Sequence, residues 1–174
     1  MNTKLARDQI RLASHGVLIL SHAQATEFVP PDAGCVLLRI VGSTDDYRDL
    51  PASARYDEIG YFRFDDVTID GLPHMNLSAQ DQREIRLISE EDGANIAKFI
   101  DKHLHARLFV VHCAAGRSRS AAVALEFAQR AGLRAAATLI RDSGLWQPNP
   151  TVGATIRRAL QSIDAAQGTG DAEE

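Results

Sequence analysis

Cysteine is scarce in this chain: of 174 residues only Cys35 and Cys113 carry a thiol. Two are too few for the disulfide framework that staples small secreted domains. Neither they nor the six histidines fall at zinc-ligand spacing, so no metal and no cofactor are expected. Cations are also in the minority. Nineteen Lys and Arg against 23 Asp and Glu leave a net charge of −4. A general nucleic-acid binder needs the opposite balance to neutralise phosphates, so that class is excluded, although a small local anion site is not. No apolar run approaches the length of a membrane span. At the N-terminus "MNTKLARDQIRLASHG" is charged and interrupted, and the "VLIL" behind it is too short for a signal core. A cytoplasmic protein with reduced thiols and no membrane span is the expectation.

What is present is an ordinary globular composition, 45% apolar and 24% charged. The runs "HGVLILS" (15–21) and "GCVLLRIVGS" (34–43) are short, apolar and bounded by Gly and Ser. They predict buried strands of a sheet covered on both faces. "GYFRFDDV" (60–67) predicts a third strand and "LFVVH" (108–112) a fourth. Between the first two, "HAQATEF" suits a helical turn or two, stopped by Pro30 and Pro31. Residues 68–88 show no strong period and predict an extended excursion. Ser89 followed by Asp92 is a capping-box start, and Ile96, Phe99, Ile100 and Leu104 follow at helical spacing, so 90–105 predicts an amphipathic helix. Further helices are predicted over 120–132, 135–144 and 150–166. Strands alternating with helices give an α/β fold: a three-layer sandwich with a mainly parallel central sheet flanked by helices. One domain spans 1–166, with a polar, disordered tail over 167–174.

The chemistry concentrates in "LFVVHCAAGRSRSAAVAL" (108–125). In strand–loop–helix units of such folds, ligands gather at the carboxyl ends of the strands. The loop there runs into a helix N-terminus, whose unpaired N–H groups and dipole favour an anion. Gly116 lets the loop curl with successive N–H groups facing inward. Arg119 adds a rigid fork matched to two phosphate oxygens. Cys113 lies at the floor of this cradle, a setting in which thiols ionise well below their free value near 8.5. Cysteine and Arg119 meet across one anion only if the loop closes on itself. Ser120 would then put a hydroxyl near the sulfur. Ala114, Ala115, Gly116, Arg117, Ser118 and Arg119 are the expected phosphate-binding residues, and His112 is expected to orient the loop.

"HCAAGRSRS" resembles the His-Cys-five residues-Arg-Ser loop of cysteine-dependent protein tyrosine and dual-specificity phosphatases. It fits His112, Cys113, Gly116, Arg119 and Ser120 together. "LIRDSGLWQPNPTVGATIRRAL" is similar to the stretch after that loop in small dual-specificity enzymes, through Arg141, Pro148 and Asn149, of which Asn149 is expected to brace the loop. The resemblance spans roughly residues 60–160 and looks nearest to a bacterial group of predicted protein tyrosine phosphatases. It implies hydrolysis of phosphomonoesters through a phosphocysteine on Cys113, with Arg119 and the loop amides holding the phosphoryl oxygens. The implied substrates are phosphotyrosine, and phosphoserine or phosphothreonine, in proteins; inorganic phosphate or sulfate should also sit in the loop. Arg117 stands where phosphoinositide phosphatases of the tensin type carry Lys, so a phosphoinositide or inositol phosphate is the alternative substrate. A catalytically silent phosphate-binding pseudophosphatase is the alternative outside enzymes.

The family takes its general acid from an aspartate on a loop before the nucleophile. Similarity to the bacterial group favours Asp66 in "FRFDDV"; strand alternation lets only one of the adjacent pair reach the site, and Asp65 is an alternative. The shorter gap usual in dual-specificity enzymes points instead to Asp81, and Asp70 is a more distant choice. Cys35, inside "GCVLLRI", reads as core.

Overall fold

The computed structural model describes residues 3–31, 33–45 and 50–168. Its sheet has four strands, β1 (Val17–Ser21), β2 (Cys35–Val41), β3 (Glu58–Arg63) and β4 (Leu108–Cys113), in the order β1-β4-β2-β3. Every pairing is parallel. The helices are α1 (Thr3–Ser14), α2 (His22–Glu27), α3 (Ala79–Glu84), α4 (Glu90–Lys102), α5 (Arg119–Arg130), α6 (Arg134–Asp142) and α7 (Pro150–Gly168). This is the expected α/β sandwich.

The continuous apolar runs of β1, β2 and β4 follow from burial on both faces. Val17, Ile19, Val36, Leu38, Ile40, Phe109 and Val111 point to the thick side, against α4, α5, α6 and α7. There Phe109 stacks on Phe127 with ring centroids 4.0 Å apart. Full burial of such side chains stabilises by roughly 1.5–3 kcal/mol each. The alternate residues, Leu18, Leu20, Cys35, Leu37, Leu108 and Val110, meet a thinner cover of Ala25 from α2 with Leu50 and Tyr56. Consecutive residues of β4 therefore face opposite layers, Cys113 the thick one and His112 the thin one.

Four expectations need correction. Helix α1 lies in a segment read only as charged and interrupted; of its apolar residues Leu12 alone enters the core, while Ile10 is 71% exposed. The third strand ends at Arg63, so Asp65 and Asp66 belong to the loop beyond it. The excursion over 68–88 contains α3, opened by a Ser78–Asp81 capping box, and a 3-10 turn over Leu72–His74. Helix α7 continues through Gln167 to Gly168, so the tail cannot begin at 167; residues 169–174 lie outside the described residues.

Candidate active site

The loop 114–118 joins the end of β4 to the start of α5, and three of its carbonyls bond groups outside it. The Ala114 carbonyl accepts from His22 N–H at 3.1 Å, that of Arg117 from Gln147 N–H at 2.9 Å, and that of Ser118 from Asn149 N–H at 3.3 Å. Every peptide bond among the described residues is trans. In a planar trans peptide the N–H points opposite to the carbonyl, so the N–H groups of Ala115, Ser118 and Arg119 turn toward the inside of the loop. Gly116 makes the curl with φ +66°. It also lies against the end of β1, where a Cβ would stand 2.4 Å from Ser21 N.

Inside this ring the buried Cys113 Sγ lies 3.1 Å from Ser120 Oγ. Arg119 is 6% exposed. Its Nη1 donates to the Phe64 carbonyl at 2.7 Å, which anchors the guanidinium, while its buried Nε–H has no partner. A buried donor left unsatisfied costs about 1–3 kcal/mol, and an oxyanion in the loop would remove that cost. His112 is buried, its Nε2 accepting from Arg39 Nε at 3.2 Å. Burial first, then the charges of Arg39 and His22, pushes its pKa down to about 4. It is neutral at physiological pH.

The two adjacent aspartates diverge. Asp66 is exposed, and its Oδ1 accepts from Ser118 Oγ at 2.6 Å and from Asn149 Nδ2 at 3.0 Å, which holds it at the rim of the loop. Asp65 instead clasps main chain: Oδ1 accepts from Ser43 N–H at 2.9 Å and Oδ2 from Arg86 N–H at 2.8 Å, while its own N–H donates to the Arg86 carbonyl. Burial alone would raise the Asp65 pKa; the hydrogen bonds from Ser43 and Arg86, with the Arg119 charge, outweigh it and leave it lowered. Asp81 is spent in the α3 capping box, bonding Ser78 Oγ at 2.7 Å. Asp70 is exposed. Of the four, the loop receives Asp66.

A cleft of about 450 Å³ opens beside the cysteine, lined by His22, Ile40, Asp45, His112 and Cys113 among others. Arg117 is exposed on the rim, and Arg141 is exposed on the last turn of α6, while Trp146 is core. The sequence reading has Asn149 as a brace for the loop, whereas Arg39 is unassigned. Asn149 joins three parts at once: besides Ser118 and Asp66, its Oδ1 accepts from Thr151 and Val152 N–H and caps α7. Asn directly before a Pro-led helix was the available signal. Arg39 carried no signal.

No family model matches the chain, and no curated protein does. Solved structures do. The human tyrosine phosphatase-like serine/threonine/tyrosine-interacting protein aligns over 87% of this chain and 93% of its own, with TM-score 0.53 and 15% identity. Human DUSP28 aligns over 88% and 97%, with TM-score 0.45 and 17% identity. Tk-PTP in its active form aligns over 84% and 90%, with TM-score 0.48 and 15% identity. The first of these likenesses identifies the architecture: the chain has a tyrosine phosphatase-like fold.

Proposed function

We propose that this protein is a cysteine-dependent phosphatase that hydrolyses phosphomonoesters, phosphotyrosine foremost and phosphoserine or phosphothreonine in proteins as well. The observation that carries this is Arg119: a buried guanidinium, anchored through one nitrogen, whose free Nε–H shares a loop with the sulfur of Cys113. Arg119 and the inward N–H groups hold the three equatorial oxygens of the phosphoryl group. Sγ attacks phosphorus in line, the bond to the leaving oxygen breaks, and Asp66 gives that oxygen its proton. The Asp66 carboxylate then takes a proton from water, whose oxygen attacks the phosphocysteine. The S–P bond breaks, phosphate leaves, and Ser120 Oγ stabilises the departing thiolate.

The exposed Arg117 side chain on the loop rim favours a second reading, a phosphoinositide or inositol phosphate with an additional anionic group. Turnover of p-nitrophenyl phosphate, phosphotyrosyl and phosphoseryl peptides, and a phosphoinositide panel tests both. Wild type should release phosphate, whereas Cys113→Ser should release none yet still bind the phosphopeptide. Wild type that binds phosphopeptide without turnover would make the protein a silent phosphate binder and end the enzymatic reading.

A further inference from the structure

The strand register sets Leu20, His112, Arg39 and Tyr61 side by side across the thin face of the sheet, one residue short of Cys113. A guanidinium is costly in that row. Arg39 has no exposed surface, and burying a charge costs several kcal/mol unless good partners compensate. Two partners flank it in the same row. Its Nε donates to His112 Nε2 at 3.2 Å, and its Cζ stands 5.4 Å from the centroid of the Tyr61 ring, whose π face attracts a cation.

An N–H aimed at Nε2 requires a lone pair there, so the neutral His112 carries its proton on Nδ1. An imidazolium would set N–H against N–H and lose the bond. Two of the groups around the ring agree. Arg39 of β2 and His22 of α2, whose ring centroid lies 5.8 Å away, both disfavour a charged His112; the main chain of Cys113 acts in the opposite sense. Asp45, from the segment after β2, shares the cleft with the ring. We propose that Arg39 is a positioning residue for the cysteine loop: its Nε–H fixes the tautomer and rotation of the His112 ring that leads into Cys113, and so the aim of the nucleophile. This deepens the phosphatase reading, and its kinetic consequence rests on that reading.

The test is ring-nitrogen NMR on ¹⁵N-histidine-labelled protein, joined to kinetics. In wild type His112 should show a protonated Nδ1 and a bare Nε2 at neutral pH and down to about pH 5, well above its folded value. Arg39→Met keeps the stem and removes the donor, a replacement of buried charge by an apolar group that folds often tolerate. It should give a tautomer mixture and a His112 titration moved up toward the ordinary range. Its kcat on aryl phosphate should fall roughly ten- to hundredfold, the effect of a displaced catalytic group, with KM held within about threefold. Arg39→Lys, which restores a donor, should recover part of both. Wild-type His112 protonated on Nε2 would overturn the proposal without any variant. So would a folded Arg39→Met with unchanged tautomer and unchanged kcat. The spectra need no substrate, so they decide the role of Arg39 even if no turnover is found, a result that would sink the phosphatase reading alone.

Discussion

Replacing Gly116 with alanine tests the closed loop directly. The residue sits at φ +66°, and an added Cβ would lie 2.4 Å from Ser21 N, 2.5 Å from Leu20 C and 2.7 Å from Leu20 O. All three are main-chain atoms at the end of β1, so no flexible side chain can swing aside. The left-handed backbone costs a non-glycine residue about 1–2 kcal/mol. Forcing the extra methyl into packed backbone adds about 1–3 kcal/mol, for a total of about 2–5 kcal/mol. With roughly 2–4 °C per kcal/mol in a chain of this size, the melting point should drop by roughly 4–20 °C. Gly132→Ala is the internal control: φ is +70°, but nothing lies within 4 Å of its Cβ position, so only the backbone contribution applies. Urea unfolding followed through the single, buried Trp146 gives both free energies at a common m-value. A Gly116→Ala protein no less stable than Gly132→Ala would refute the close approach of the loop to β1.

Asp66→Asn should slow hydrolysis of phenyl phosphate, a poor leaving group, by about a hundredfold or more, the usual worth of a positioned proton donor. Asp81→Asn should stay within about twofold of wild type, since its carboxylate serves only as a helix cap; the reverse pattern in steady-state kinetics would exchange their roles. Asp65 is held below its ordinary carboxylate pKa, so its stabilising contribution is whole above that ordinary value and is lost as pH falls through the lowered one. Urea midpoints measured from pH 6 to pH 2.5 should therefore show a flatter acid decline in Asp65→Asn than in wild type. Arg157→Ala strands the buried carboxylate of Glu126 and should destabilise by about 1–3 kcal/mol. Arg158→Ala removes a partner of the exposed Glu90 and should fall within about 1 kcal/mol of wild type, with equal effects in denaturant titrations counting against the distinction.

The site was legible where its chemistry is local. Strand, cysteine, curl, arginine and helix fall within 108–130, and each leaves a mark that survives without tertiary information. The core strands were legible because burial on both faces leaves unbroken apolar runs. Helix α1 was not, because it buries Leu12 with the charged Asp8 rather than a periodic apolar stripe. Helix α3 did leave a mark: Ser78 and Asp81 repeat the spacing of Ser89 and Asp92, but no apolar face follows them. The choice among aspartates turned on where a loop returns, which only the Asp65–Arg86 clasp and the Asp66–Ser118 bond reveal. Arg39 is the extreme case. In "CVLLRIV" it looks like a polar interruption, and its burial depends on a strand 73 positions away in sequence.

The register of β2 against β4 has a chemical corollary for Cys113. Cys35 pairs with Leu108, five residues before Cys113, and its side chain enters the other layer. Some 16 Å of strand separates the two sulfur-bearing residues, against a limit of about 7 Å between the α-carbons of a disulfide. A sulfenic acid formed on Cys113 by peroxide would thus find no second thiol of the same molecule within reach.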